Sequence, residues 1–391
     1  MLRILTALAM IGAASSAPAS SAQASSAAAE PGLPSRMVWT AYDLGSSGYA
    51  EAVGIANAFR KRFDTRVRVM PSITSIGRML PLVTGKASYG FLANEAYFAA
   101  EGTYDFASLQ WGPQDIRIVL GKPTSIAIAI AADTGVETVY DLKGKRLGYV
   151  KGNPSVNIKH DAYLAFAGLT RDDIEVVWFG SNGAIPRAVL ANQIDGFSSV
   201  TTSANMREIQ ASPRGLTYAE MPPDDKEGWK RLHKVIDFME PYRETRGVGL
   251  SEENPANIAQ IRYPMITVYP QVVGTDQAYQ FVKAADLAFD DYKNTTATGE
   301  FWAIEKAGRP PADAPMHEGT IRYLKEKGLW REQDQAWHEH RLARLNQVLA
   351  AWNDAQAEFH EWRAAEQAKG NAVDAEEAWG SYWEAYRAEH L

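Results

Sequence analysis

The chain contains no cysteine, which excludes disulfides, thiolate metal sites and lipid attachment at a mature N-terminal cysteine. It has no excess of basic charge: 40 Lys and Arg stand against 47 Asp and Glu, a formal net charge of −7. Without a basic stripe, nucleic acid is not expected as a partner, and an acidic surface disfavours anionic lipid. No stretch reaches the roughly 18 uninterrupted apolar residues that a membrane helix needs, so a soluble product is expected. Catalytic signatures are also missing: there is no nucleophile elbow, Ser-x-x-Lys, phosphate loop or dinucleotide fingerprint. His317-Glu318 and His338-Glu339 begin the zinc-protease pattern but lack its second histidine, and His338 and His340, two apart on a helix, face different ways. These histidines read as surface residues. No enzyme activity, metal or cofactor is expected.

What is present begins with an address. Arg3, the apolar run 4–12 and the small-x-small site Ala22-Gln23-Ala24 form an export signal over 1–24. The alternative is a retained anchor, which the cleavage site argues against. A Ser/Ala/Pro-rich lead-in over 25–35 reads as disordered. The expected location is the periplasm, and the length that remains is enough for two or three compact units.

A strand running into a small-residue loop that opens a helix is written twice, at 38–63 and 146–168. A helix start offers unpaired N–H groups and partial positive charge, so two such loops on two lobes can hold a small anion between them. In the first unit, strands are expected at 38–42, 66–70 and 89–93. Helices capped by Ser46 or Ser47, by Ser72 or Ser75, and by Asn94 follow them. In the second, strands are expected at 126–131, 147–150, 175–179 and 194–199, with helices from Asn153 or Ser155 and over 184–191. The chain then returns through 263–270 and a long helix near 276–292. The predicted fold is α/β: a two-lobed, type II-like binding protein with an interlobe cleft and a C-terminal helical extension. Lobe 1 is assigned to 36–124 and 245–329, lobe 2 to 125–244, and the extension to 330–391.

Three blocks carry a family resemblance. They are Ser75-Ile76-Gly77-Arg78-Met79-Leu80-Pro81-Leu82-Val83-Thr84-Gly85 with its continuation to Glu95, Asp141-Leu142-Lys143-Gly144-Lys145-Arg146, and Val189-Leu190-Ala191-Asn192-Gln193-Ile194-Asp195-Gly196-Phe197. In this order they resemble the TAXI type of solute receptor of tripartite ATP-independent periplasmic (TRAP) transporters, over about 38–306. The second block also occurs in receptors of ABC transporters. The resemblance implies a receptor that captures a small organic acid, a dicarboxylate or a compound like glutamate or 2-oxoglutarate, and delivers it to a sodium-driven TRAP permease. Carried over by position, the ligand-binding candidates are Ser47, Gly48, Tyr49, Thr74, Ser75 and Asn94 in lobe 1. In lobe 2 they are Asn153, Ser155, Val156, Thr201 and Thr202. Where the family reads Gly-Thr-Tyr-Tyr, this chain has Ser46-Ser47-Gly48-Tyr49, and the family's Ser-Gly-Thr loop is Asn153-Pro154-Ser155-Val156. Such changes alter the pocket and open the ligand to change.

The residues also have plainer readings. A Ser or Asn at a strand end is most often a helix cap, and Trp39, Tyr42 and Tyr49 suit a core. Arg78, Lys159 and Arg187 suit either a solvated helix face or a carboxylate. Arg78, one turn from Ser75, is the preferred cation. In the tail, Leu345, Val348, Trp352, Ala355, Phe359 and Trp362 form a stripe at spacings of three and four. A break at Gly370-Asn371 precedes Trp379, Trp383 and Tyr386 on a final helix. This hairpin is expected to pack on its own body or on itself; the alternative is a docking arm for a partner or a dimer. That alternative would make the protein a periplasmic sensor or scaffold rather than a transport receptor.

Overall fold

The computed structural model describes residues 30–391. The export signal and lead-in residues 25–29 lie outside the described residues. The rest of the lead-in is docked rather than loose: Leu33 packs against the core of the first lobe, and the Gly32 N–H donates to Gln280 Oε1 at 3.0 Å.

The chain alternates strand and helix from the start. Strand β1 (Arg36–Ala41) leads to α1 (Ser47–Phe63), β2 (Arg66–Pro71) to α2 (Ser75–Val83), and β3 (Tyr89–Leu92) to α3 (Glu95–Glu101). Ser46 caps α1 by accepting from the Tyr49 N–H at 3.1 Å. Thr74, not Ser72 or Ser75, caps α2, accepting from the Gly77 N–H at 3.0 Å. The 14-residue β4 (Arg117–Ile130) starts nine residues before the strand expected from the apolar run, because its first half is equally buried but contains Gly121, Lys122 and Pro123. The second lobe runs through β5 (Arg146–Val150), α4 (Pro154–Phe166), β6 (Glu175–Phe179), α5 (Ile185–Leu190), β7 (Gly196–Val200) and α6 (Asn205–Ala211). It continues through β8 (Thr217–Ala219), α7 (Lys226–His233) and β9 (Glu240–Glu244). The 13-residue β10 (Ala256–Val268) returns the chain to α8 (Thr275–Leu287), α9 (Phe289–Tyr292), α10 (Ile304–Ala307) and α11 (Glu318–Glu326), followed by α12 (Glu332–Ala368) and α13 (Ala375–His390).

All ten strands form one sheet, ordered β2-β1-β3-β10-β4-β7-β5-β6, with β8 also on β4 and β9 also on β10. The three parallel strands at each end belong to one lobe each. The antiparallel pair β4 and β10 belongs to both: Met265 to Thr267 pair with β3, whereas Ala256 to Gln260 pair with β9. The register slips between Arg262 and Met265, opposite Pro123 and Gly121. An irregularity there bends a paired ribbon locally, and it is where the chain passes between lobes. β10 thus carries the chain back across the sheet.

The tail is a hairpin on the first lobe. Val348, Trp352, Ala355 and Phe359 of α12 meet Trp379 and Trp383 of α13 in their own core with Ala107. Trp383 Nε1 donates to the Gly102 carbonyl at 2.7 Å. The Glu101 carboxylate, at the end of α3, takes ion pairs from Arg341, Arg344 and Arg387. Trp362 does not belong to the buried stripe; it is 40% exposed.

Candidate functional site

A cavity of about 90 Å³ opens where the carboxyl ends of the strands of both lobes meet. Lobe 1 contributes Tyr42, Asp43, Leu44 and Ser46 from the loop between β1 and α1, with Ala93 after β3. Lobe 2 contributes Val156 and Lys159 of α4, Asn182, Gly183 and Pro186 after β6, and Phe197 to Val200, Ser203, Asn205 and Met206 around the end of β7. Ile126 of β4 with Ile261 and Tyr263 of β10 close it along the crossing strands. Among the described residues that line it, Lys159 is the one cation and Asp43 the one acid.

Of the twelve candidate ligand residues, Val156 alone lines this cavity. Four others meet just beside it in a buried network between the lobes. Ser75 Oγ donates to Asn153 Oδ1 at 3.3 Å, and the Ser75 N–H donates across the cleft to the Gly152 carbonyl at 3.1 Å. Lys159 Nζ donates to Asn94 Oδ1 at 2.8 Å and to Ser155 Oγ at 3.1 Å, while Asn94 Nδ2 donates to Asp313 Oδ2 at 2.7 Å. Asn94 and Asn153 sit at helix starts, yet neither side chain caps its helix. Asn153 Nδ2 is buried without a partner.

Arg78, the preferred cation, is not in the cavity wall. It is 0% exposed, its Nε donates to Glu95 Oε1 at 2.7 Å, and its guanidinium carbon lies 3.6 Å from the Tyr42 ring centre. Glu95 also accepts from the Tyr42 hydroxyl at 3.0 Å and the Ala93 N–H at 3.1 Å. The spacing of one turn from Ser75 was right for contact, and Nη2 does donate to Ser75 Oγ at 3.3 Å. A buried acid on the neighbouring helix, invisible in the local pattern, takes the charge. Neither Arg78 nor Lys159 lies on a solvated face.

The remaining candidates stand apart. Ser47, Tyr49 and Thr202 line a wider groove of about 1020 Å³ between α1, the loop after β7 and residues 289–306. Gly48 packs against Tyr263: a Cβ there would lie 2.5 Å from its hydroxyl. Thr74 is a cap, and Thr201 is buried with Oγ1 donating to the Arg246 carbonyl at 3.1 Å.

The sequence reading missed Asp43, Asn182, Ser198, Ser199, Ser203, Asn205 and Tyr263. Their one common signal is position just after or at the end of a strand in an α/β pattern. The surface reading of the histidines holds for His340, which is exposed, and fails for the other two. His317 and His338 are buried, and His317 caps α11 by accepting from the Gly319 N–H at 3.0 Å; burial lowers the pKa of both.

Burial shapes the charges at the site. It depresses Lys159 to about 8 and raises Asp313 to about 7, with Asn94 hydrogen-bonded to both. It also raises Asp43, against the Gly183 N–H that donates to its Oδ2 at 3.2 Å across the cleft. The site thus has a cation on one lobe, an acid on the other, and a wall of apolar and neutral polar groups.

Several solved structures resemble the chain loosely. A Bordetella bronchiseptica RB50 protein aligns with 77% of this chain and 91% of its own, at 15% identity and a TM-score of 0.44. The alkanesulfonate-binding protein SsuA of Xanthomonas axonopodis pv. citri, bound to MOPS, aligns with 77% and 96% at 16% identity and 0.41. A periplasmic binding protein of Salmonella typhimurium with high arginine specificity aligns with 67% and 99% at 12% identity and 0.42. Likeness at this level bears on neither ligand nor partner. No curated protein matches the chain. The model of the NMT1-like family matches residues 44–328, more than two thirds of the sequence, and the chain belongs to the NMT1-like family.

Proposed function

We propose that this protein is an extracytoplasmic solute receptor that closes its two lobes on a small organic acid and hands it to a membrane permease. The observation that carries this reading is the cavity between the lobes, walled by both and by the crossing strands, with Lys159 facing it. A concave site of this kind, mostly apolar with a few converging polar groups, is the usual form of a small-molecule site. The sequence blocks favour a TAXI receptor and a sodium-driven TRAP permease as its partner, and the signal sequence favours the periplasm. Dicarboxylates and compounds like glutamate or 2-oxoglutarate are the acids that resemblance suggests. The candidate contacts proposed are Val156 and Lys159 in the wall, with Ser75, Asn94, Asn153 and Ser155 holding the lobes around it. A second reading, in which the tail is a docking arm, loses its motive because the aromatic stripe is covered by the chain itself.

The test is a thermal-shift panel of the mature protein with short acids, amino acids and sugars. A ligand at a hundredfold excess over its Kd stabilises the fold by about 2.7 kcal/mol, which is readily seen. A shift confined to one class of acid is expected; shifts with sugars alone would sink the reading.

A further inference from the structure

We propose that the cavity selects an acid with a single carboxylate and an apolar body, and that Asp43 is the residue that turns dicarboxylates away. This rests on the receptor reading and narrows its ligand class. Lys159 spends two of its three N–H groups on Asn94 and Ser155, leaving one for a ligand in the cavity that it lines. Ser198, only 8% exposed, lines the same cavity. Val156, at the start of α4, brings the positive end of a helix to that side. These three features define one anion subsite.

There is no second one. Arg78 is committed to Glu95 and absent from the wall, and the other charged group of the wall is the Asp43 carboxylate, from the other lobe. Ile126, Phe197, Met206 and Ile261 supply apolar surface to the same wall. A second carboxylate on a ligand would find no second cation: the remaining polar groups of the wall, among them Asn182, Ser199, Ser203 and Asn205, are neutral, and the other charge is a like one on Asp43. A hydroxyl or ammonium group could instead donate to Asp43. Rejecting a competitor by placing an unpaired like charge against it is a usual route to specificity.

The experiment is calorimetric titration of the mature protein with two matched sets. One holds small branched monocarboxylates bearing 2-oxo, 2-hydroxy or 2-amino groups; the other holds succinate, 2-oxoglutarate and glutamate. The expected result is a preference for the first set of about tenfold or more, falling to about threefold or less in Asp43→Asn. That variant keeps an oxygen to accept the Gly183 N–H, and its melting curve checks that it is folded. Tighter binding of the dicarboxylates, or a preference unchanged in a folded Asp43→Asn, overturns the inference while leaving the receptor reading intact. Binding of neither set, with a response to sugars alone, overturns the receptor reading and the inference with it.

Discussion

Two lysines are buried in this protein, and they are held in opposite ways. Lys122, on β4, meets Glu51 of α1 directly at 2.8 Å and the Thr298 hydroxyl at 2.6 Å. Glu51 in turn accepts from the Thr296 hydroxyl at 2.9 Å and Trp302 Nε1 at 3.0 Å. This cluster is closed: charge, counter-charge and hydrogen bonds are all supplied by the chain, and it pins residues 296–302 to the first lobe. Lys159 has no carboxylate in contact. Its partners are neutral, an amide on the other lobe and a hydroxyl on its own helix, and one face is turned to a cavity. A buried cation whose neutralisation is incomplete is a cost to the fold, and a ligand carboxylate would relieve it. The contrast separates a strut from a site on physical grounds, although both are Lys residues in strand-helix contexts.

The sharpest way to break this contrast is to remove each ammonium in turn. Lys122→Met should destabilise the protein by about 3–5 kcal/mol, because Glu51 is left buried and unpaired. Urea unfolding would register this as a lower midpoint with an unchanged slope. Lys159→Met should leave stability within about 1 kcal/mol, since the lost hydrogen bonds are offset by the lost desolvation, yet abolish binding of acids. If the two variants unfold alike, the distinction between strut and site fails.

Asp313 offers the next largest effect, through pH. Burial lifts it to about 7, so the folded state keeps a proton that the unfolded chain releases from about pH 4 upward. Its contribution to stability is fully present below the ordinary carboxylate range and is lost as pH rises through 7, by at most about 4 kcal/mol. Asp313→Asn should therefore gain on the parent protein as pH rises from 4 to 8 in denaturant titrations. A constant difference across that range would show that Asp313 does not titrate with folding. The smallest effect belongs to the tail: Trp362→Ala, at the exposed end of the aromatic stripe, should change stability by no more than about 0.5 kcal/mol, checked by melting temperature. A large loss would mean that its packing on Phe359 and Tyr382 carries the hairpin despite its exposure.

Legibility in the sequence followed the range of the forces involved. The strand-helix alternation of both lobes was readable because apolar runs and caps act within a few residues; β6 was placed at its exact ends, and the tail broke at Gly370 as expected. The starts of β4 and β10 were misjudged because Lys122, Pro123 and Gln260 interrupt their apolar pattern, and these residues are accommodated by contacts more than a hundred residues away in the case of Lys122. At the site, Ser75, Asn94, Asn153 and Ser155 were rightly singled out as polar residues at helix starts, and they do converge. That they form the seam between lobes rather than the cavity wall depends on which side chains face each other once the sheet is assembled.

The sequence by itself determined the α/β class, the doubled strand-loop-helix pattern, the absence of thiol chemistry and the amphipathic tail, since each follows from composition or from periodicity along one element. Only the tertiary structure decided that Arg78 is neutralised by Glu95, that Lys159 keeps a free N–H beside a cavity, and that Asp43 lines that cavity from the other lobe. Those outcomes are electrostatic, and the charge that matters to a buried group is the one nearest in space, which the order of residues along the chain does not specify.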